Sequence, residues 1–339
     1  MNIALISSSQ DAASINIKHR LLDNFGFMPT GKKFDGNDVF QCLTGNNEGS
    51  NNKTNANEKN SNKDNPDKKI IRLYTINSMH VLTDNLDKKI GADAFVVVSR
   101  HKAEGGRASL TTHPIGNFGK AAAGGKDRLL CISPAFLLKS IFLELARNAE
   151  NSGYEATLEA THHGPYMEKP VLYAELGSNE KFWEDKAGAK IVAKSLMAAL
   201  DSFNKRYLTM DKNSSNSEKS NNAPSGMNKK NSNIASKKNA ETENDGFGSI
   251  LVIGGTHYNH AASKAMLNTG YAAGHICPKH NFEDLDEEML KQAMEKTGPR
   301  PKFALLDWKG LGKEKQRIVE MLENGSMKYK RSDKFFSQQ

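Results

Sequence analysis

Residues 94–101 read Ala-Phe-Val-Val-Val-Ser-Arg-His. The first five residues are apolar and three of them are valines, which favour a buried strand over a helix. Polar residues and a histidine follow at once, and open α/β sheets place their functional side chains at such strand ends. This stretch therefore predicts a buried strand over residues 94–99 that delivers Arg100 and His101 to a site.

The rest of the chain repeats this pattern, because short apolar runs alternate with amphipathic stretches. The alternation predicts an α/β fold in which a mixed sheet is flanked by helices on both faces. Further strands are predicted at residues 2–7, 70–74, 158–160, 171–176, 250–253, 272–276 and 303–307. Helices are predicted at residues 11–25, 135–149, 179–203, 261–268, 284–295 and 313–324, with Ser133-Pro134 as the cap and first position of the second helix.

Two stretches depart from this pattern, residues 45–69 and 210–246. They consist almost wholly of Asn, Ser, Lys, Glu, Asp and Gly, which cannot bury enough apolar surface to become ordered. We expect a single α/β domain over residues 1–330 that these disordered inserts interrupt. A polar tail is expected at residues 331–339.

The overall charge indicates a polyanionic partner. The net charge is +8 and the pI is about 9.1, and the nearly balanced inserts leave most of the excess on the folded part. Such an excess suits binding to a phosphate backbone, with general solubility as the alternative. No apolar run approaches membrane-spanning length, and three widely spaced cysteines give no disulfide framework. A cytoplasmic protein without a membrane partner is therefore expected.

Histidines are the main candidates for chemistry. Most of the ten follow a predicted strand, and His113 is placed at the turn after the strand of residues 94–99. A single histidine at a strand end is more often structural, but several imidazoles brought together suppress protonation of one another, which favours metal binding or acid–base catalysis. Glu175 would add a carboxylate near the same edge of the sheet. The predicted metal ligands are His101, His113, His162, His163, His257 and His275.

Zinc is the metal that such a donor set favours. Zinc accepts histidine nitrogen and carboxylate oxygen in a tetrahedral site and keeps one position for water in catalytic centres. The chain lacks the HxxxH spacing of helical zinc proteases, so spacing alone supports a metal only weakly. The alternative is that one of His162 and His163 is buried and the other acts without a metal.

A glycine pair follows another predicted strand. Gly254 and Gly255 could cradle a phosphate or let the backbone approach a substrate closely. The chain contains no complete GxGxxG or Walker motif. A nucleotide cofactor is therefore not expected.

The ordered motifs resemble those of the archaeal and plant D-aminoacyl-tRNA deacylases, a family unrelated to the small bacterial deacylases of the same activity. The Thr161-His162-His163-Gly164-Pro165 run is the most specific of them. The other motifs that carry the resemblance are Ser99-Arg100-His101, residues 110–114 with Gly116-Asn117, Glu159-Ala160, Glu175-Leu176-Gly177-Ser178, residues 254–258, and Gly274-His275 with Pro278-Lys279.

The resemblance implies a hydrolase that cleaves the ester bond between a D-amino acid and the terminal ribose of tRNA, including aldehyde-modified D-aminoacyl-tRNA. It also implies a zinc requirement and a fold like that of phosphorylases and peptidyl-tRNA hydrolases. The expected catalytic residues are His113, His162, His163 and Glu175, and a monomer is expected. Contacts with substrate or tRNA are expected from Arg100, Lys120, Thr161, Gly254, Gly255, Tyr258 and Lys279.

Other functions are compatible with the same residues. A peptidyl-tRNA hydrolase-like or metallopeptidase activity is one, because fold does not determine reaction. A non-catalytic RNA-binding protein is another, although it leaves the clustered histidines without a role.

Overall fold

The computed structural model describes residues 1–44, 69–203 and 246–337. The predicted inserts lie outside these residues except at their last positions. Lys69, which was assigned to the first insert, is instead the first residue of a strand.

The described residues form sixteen strands and nine α-helices. The strands are β1 (Asn2–Ser8), β2 (Met28–Phe34), β3 (Asn37–Thr44), β4 (Lys69–Ile76), β5 (Ala94–Lys102), β6 (Ser109–Pro114), β7 (Gly116–Asn117), β8 (Leu129–Leu130), β9 (Ser133–Pro134), β10 (Glu155–Leu158), β11 (Val171–Ser178), β12 (Phe247–Ile253), β13 (Gly270–Cys277), β14 (Thr297–Gly298), β15 (Phe303–Leu306) and β16 (Tyr329–Arg331). The helices are α1 (Ala12–Asn24), α2 (Leu86–Lys89), α3 (Ala135–Ala149), α4 (Glu180–Trp183), α5 (Lys186–Ser202), α6 (His260–Asn268), α7 (Glu287–Glu295), α8 (Lys315–Asn324) and α9 (Ser332–Phe335).

Two sheets organise these elements. The larger sheet has eight strands in the order β10-β6-β11-β5-β1-β4-β3-β2. It is mixed, because β4, β1, β5 and β11 run parallel whereas β6 is antiparallel to β11 and the β2–β3 hairpin is antiparallel to β4. The smaller sheet is parallel, in the order β13-β12-β15-β16. The predicted mixed α/β class is confirmed.

The two faces of the larger sheet pack against different elements. Ile3 and Leu5 point into the core shared with helices α1, α3 and α5. Ala4 and Ile6 point to the other face, where they join a smaller cluster that includes Leu86 of α2. This alternation follows from the two-residue period of a strand, so β1 is buried on both sides.

The predicted helix over residues 179–203 is in fact two helices, α4 and α5. The Asp185 side chain accepts hydrogen bonds from the backbone N–H groups of Ala187 and Gly188 and so starts a new helix. Its second oxygen also accepts a 2.6 Å hydrogen bond from the Tyr154 hydroxyl. An aspartate that satisfies free N–H groups in this way interrupts an otherwise continuous helical pattern.

Three other local predictions need correction. Ser133 and Pro134 do not cap α3 with a side chain; they pair with Thr297–Gly298 as short strands. His113 lies inside β6 and not at a turn. The strand predicted at residues 158–160 ends at Leu158.

The C-terminal residues are also more ordered than predicted. The expected polar tail begins at Arg331, the last residue of β16, and continues into α9, where Phe335 is buried. Among the described residues, no helix is both long enough and apolar enough to cross a membrane.

Candidate active site

Three neighbouring strands bring the first residues of the site together. Glu175 of β11 pairs with Ser99 of β5 on one side and with Thr111 of β6 on the other. His101 and His113 lie two residues further along these strands. Because side chains alternate across a strand, all three chemical groups project from the same face of the sheet.

Gly177 makes room for His101. It lies directly opposite His101 in the β5–β11 pair. A Cβ atom at this glycine would lie 2.7 Å from the His101 Cβ, closer than van der Waals contact allows. The indole N–H of Trp183 donates a 2.8 Å hydrogen bond to the His101 carbonyl, which fixes the position of the His101 backbone.

The loop after β10 supplies His162 and His163. Residue Ile115 forms a bridge with His162, and the Gly116 N–H donates to the His163 carbonyl at 2.8 Å. His163 has a φ of +42°, a conformation that non-glycine residues adopt rarely and that surrounding contacts must maintain. The tight loop thus places two consecutive imidazoles beside His113.

The smaller sheet supplies His257. Its strand β12 is followed by Gly254 and Gly255, whose φ values of +109° and +80° turn the chain back toward the larger sheet. The Ala160 N–H then donates a 2.8 Å hydrogen bond to the His257 carbonyl. The site is therefore built where the two sheets meet.

Glu159 is the carboxylate on which these histidines converge, and the sequence analysis gave it no role. Its side chain is fully buried, and Oε2 lies 2.8 Å from His257 Nε2 and 3.5 Å from His162 Nε2. Oε1 lies 3.1 Å from His101 Nδ1. In the sequence, Glu159 stands three residues before His162 and belongs to one of the motifs that carry the family resemblance. This position is the one signal that could have identified it.

Backbone carbonyls fix the tautomers of three imidazoles. Nδ1 of His113, His162 and His163 lies 3.1, 2.8 and 2.6 Å from the carbonyls of Pro114, Ala160 and Gly164, respectively. A carbonyl can only accept, so each Nδ1 carries the hydrogen and each neutral ring leaves the lone pair on Nε2.

These three rings also face one another. The centroids of His113 and His162 are 4.2 Å apart, and those of His162 and His163 are 4.3 Å apart. His113 Nε2 is buried and has no hydrogen-bond partner in the described structure. A buried polar atom without a partner costs free energy, so this arrangement calls for a bound group.

Three overlapping groups of side chains could hold a metal ion. In each group, one ligand atom per residue lies within 4.8 Å of the others. The groups are His113, His162 and His163; Glu159, His162 and His257; and His101, Glu159 and Glu175. Imidazole ligands whose other ring nitrogen donates a hydrogen bond to a carbonyl are typical of zinc sites.

The buried carboxylates and His101 form an ionised cluster. Burial opposes charge on Glu159 and Glu175, but hydrogen bonds from histidines hold the pKa of both carboxyls below the usual range. Burial likewise opposes charge on His101, yet Glu159 and Glu175 raise its pKa to about 11. Two anions and one cation leave the cluster with a negative excess that favours a bound cation.

The histidines next to this cluster differ in charge. Burial and the neighbouring His113 lower the pKa of His162 well below 6.5 and that of His163 to about 4, so both rings are neutral at pH 7. Burial also opposes charge on His113, but Glu175 raises its pKa. A metal ion needs the neutral ring, so it would take the place of the His113 proton.

His275 and Thr161 are not part of the site, contrary to prediction. His275 is buried, with Nε2 bonded to the Cys131 carbonyl at 2.9 Å and Nδ1 3.2 Å from the Thr161 hydroxyl. Both ring nitrogens are therefore occupied. The Thr161 hydroxyl also accepts from the Ile276 N–H, so it joins the two sheets and does not face a substrate.

Part of the predicted glycine phosphate site is bonded within the protein. Gly254 N–H donates to the Cys277 carbonyl, and its carbonyl accepts from Asn259. The Gly255 carbonyl accepts from the Lys279 N–H. These bonds fix the turn that leads to His257, and a phosphate or substrate contact at this turn stays a prediction.

The remaining predicted contact residues lie around the site or on the surface. Tyr258 is 37% exposed and its hydroxyl lies 2.8 Å from His101 Nε2. Arg100 packs over the Trp183 ring, 5.1 Å from its centroid. Lys120 and Lys279 are exposed.

Comparisons with known proteins identify a family for this chain. The family model described as D-aminoacyl-tRNA deacylase matches residues 88–330. A D-aminoacyl-tRNA deacylase from Thermococcus kodakarensis is 28% identical over 93% of this chain and 94% of its own length. One from Cenarchaeum symbiosum is 30% identical over 77% of this chain and 88% of its own length. A crystal structure titled a conserved protein of unknown function covers 98% of this chain and 96% of its own, with a TM-score of 0.71 and 23% identity.

Clustered imidazoles and carboxylates supply the acid–base chemistry that hydrolases use. The chain belongs to the D-aminoacyl-tRNA deacylase family and is an enzyme of that hydrolase class. The resemblance inferred from the sequence motifs is therefore confirmed. The likeness to the solved structure supports the fold.

We expect Gly177→Ala to disable the site while the fold is retained. The added methyl group would displace His101 and with it the ion pairs to Glu159 and Glu175, so kcat should fall by about 100-fold, as for a misplacement of roughly 1 Å. Gly91→Ala is the matched control, because a Cβ there meets open space. Steady-state deacylation kinetics and a thermal melt would measure both effects. Activity equal to the control would contradict this reading.

The ion cluster also predicts how stability changes with pH. Glu159 and Glu175, with lowered pKa values, add stability above about pH 4.5 that is lost as the pH falls. His101, with its raised pKa, adds stability that is full below 6.5 and is lost as the pH rises toward about 11. The difference in unfolding free energy between wild type and His101→Gln should therefore be largest at pH 4.5–6.5 and shrink toward pH 10. Urea unfolding in the presence of a chelator measures this difference in unfolding free energy. His19→Gln, at an exposed position, is the control. A difference between wild type and His101→Gln that grows with pH would refute the prediction.

Proposed function

We propose that this chain hydrolyses the ester bond that joins a D-amino acid to the terminal ribose of tRNA, releasing the free D-amino acid and tRNA. The observation that carries the proposal is the convergence of His113, His162 and His163, each with Nδ1 bonded to a carbonyl, beside two buried carboxylates. Together with the family membership, this arrangement supports activation of a water molecule for attack on an ester. Aldehyde-modified D-aminoacyl-tRNA is included in the proposed substrate range.

Zinc is the proposed cofactor, and the residues present fit it. His113, His162 and His163 would hold the ion through Nε2, since their Nδ1 atoms are bonded to carbonyls and His113 Nε2 otherwise has no partner. Bound zinc lowers the pKa of a water ligand to about 7. Of the six predicted ligands, His101 and His257 are instead assigned roles beside the ion.

His257 is the proposed general base. Its side chain is 35% exposed and is more open than those of His101, His113 and His162. Its Nε2 donates a 2.8 Å hydrogen bond to Glu159. This bond leaves the Nδ1 lone pair available to take a proton from water. A buried carboxylate that orients an imidazole in this way also stabilises the imidazolium that forms.

Glu175 and His101 are proposed as positioning residues. Glu175 is buried and accepts a 3.3 Å hydrogen bond from Thr111, with His113 Nε2 at 3.8 Å. His101 holds Glu159 in place from one ring nitrogen and contacts the Tyr258 hydroxyl with the other. Tyr258, at the exposed rim, would then meet the substrate, and Arg100, Lys120 and Lys279 would meet phosphates of the acceptor end.

The cellular setting is also a proposal. Cys42, Cys131 and Cys277 are free and buried, as is usual for proteins of a reducing compartment. We propose a cytoplasmic monomer that acts in quality control of aminoacyl-tRNA. Independence from a nucleotide cofactor remains a prediction.

Single substitutions His162→Ala and His163→Ala should each lower kcat/KM for D-tyrosyl-tRNA by about 1000-fold or more, because each removes a ligand from the proposed centre. His19→Ala, at an exposed position on α1, is the matched control and should match wild type. L-tyrosyl-tRNA and a peptidyl-tRNA measured alongside distinguish D-ester cleavage from the peptidyl-tRNA hydrolase alternative. Wild-type rates in both variants would refute the centre, and equal rates on all substrates would refute the assignment of substrate.

A further inference from the structure

The smaller sheet carries a groove at the edge opposite the histidines. This cavity of about 930 Å³ lies at the starts of β13 and β15 and along β16. Its lining contains four cationic side chains and one acidic side chain, namely Arg300, Lys302, Lys328, Lys330 and Glu323. Arg300, Lys302 and Lys328 are exposed. The groove therefore carries a cluster of cationic side chains, three of which are exposed.

Aromatic rings line the same groove. Lys330 Nζ lies 4.7 Å from the centroid of Phe303 and 5.9 Å from that of Tyr271. Tyr329 is partly exposed in the groove wall. Because Tyr271 and Phe303 are buried, they hold Lys330 from below by cation–π contact, and the cations above them are the groups that can bind phosphates.

Strand β16 extends this charge toward the catalytic edge. Arg331 lies over the Trp308 ring at 4.1 Å, and Lys315 lies over the same ring at 4.7 Å. Asp333 binds Arg331 and neutralises part of its charge, whereas Lys315 adds to the positive field. Trp308 follows Asp307, which packs against the Gly254 turn that leads to His257.

The distance between the two ends suits a single nucleic acid. Strand β12 runs between these two edges of the sheet, and at about 3.3 Å per residue its seven residues span roughly 20 Å. A stacked nucleic-acid strand advances about 3.4 Å along its axis per nucleotide, so a strand anchored at His257 would cover this distance in roughly six nucleotides.

We propose that this basic groove, formed by Arg300, Lys302, Lys328 and Lys330, binds the phosphodiester backbone of the tRNA beyond its reacting 3′ end. The inference rests on the proposed function, because it assigns the groove to the same tRNA whose ester is cleaved at the histidines. The groove takes no part in ester cleavage; it supplies affinity. It would also give the enzyme a preference for whole tRNA over short esters.

The test is a triple variant, Arg300→Gln, Lys302→Gln and Lys328→Gln, assayed on D-tyrosyl-tRNA and on the D-tyrosyl ester of adenosine. Loss of phosphate contacts should raise KM for the tRNA by about tenfold, leave kcat unchanged and lower the salt slope of log KM by up to about three. Kinetics on the adenosine ester should stay as in wild type. Lys186→Gln, Lys190→Gln and Lys194→Gln together form the matched control, since these exposed lysines of α5 remove the same charge elsewhere.

Each outcome decides the matter. A rise in KM confined to tRNA supports the groove, whereas a triple variant that behaves like the control, or a rise shared by both substrates, overturns it. If a thermal melt shows that the triple variant is misfolded, Lys302→Gln and Lys328→Gln are assayed singly by the same criterion. If the wild-type enzyme cleaves neither ester, the proposed function fails independently of the groove. Filter binding of uncharged tRNA then still tests the groove. Weaker tRNA binding only in the triple variant supports the groove, and equal affinity in the triple variant and the control overturns it.

Discussion

The site depends on one buried anion, the carboxylate of Glu159. It binds His101 from the larger sheet and His257 from the smaller sheet, and it lies 3.5 Å from His162 of the loop after β10. An isolated carboxylate would be costly to bury, but hydrogen bonds from His101 and His257 stabilise its charge. The same contacts link the two sheets at the site, so the active centre and the junction between the sheets are one structure.

The surrounding backbone fixes the positions of the rings. Gly177 leaves room for His101, the Gly254 turn directs His257, and carbonyls fix the tautomers of His113, His162 and His163. Such preorganisation holds the three Nε2 atoms together, while burial and the neighbouring His113 keep His162 and His163 neutral by lowering their pKa values. The resulting neutral donors beside a negative cluster are suited to a cation and to activation of water.

Much of this could be predicted from the sequence, because strand ends in an α/β sheet carry its functional residues. Residues 94–99 were recognised as a buried strand, which continues to Lys102 and so includes His101. Glu159 was missed because residue type gives no sign of full burial. His275 was misassigned because it shares the strand context of the others, and only its contacts with Cys131 and Thr161 show that its ring is occupied. The split of the helix at Asp185 depended on a capping interaction with backbone N–H groups.

The most direct test of the account is the anomalous X-ray scattering of zinc in crystals of the metal-loaded protein, measured on both sides of the zinc absorption edge. The account predicts an anomalous peak bounded by Nε2 of His113, His162 and His163, with His257 and Glu159 alongside, and loss of that peak in His163→Ala. A peak held elsewhere on the molecule, or none at full zinc loading, would contradict it.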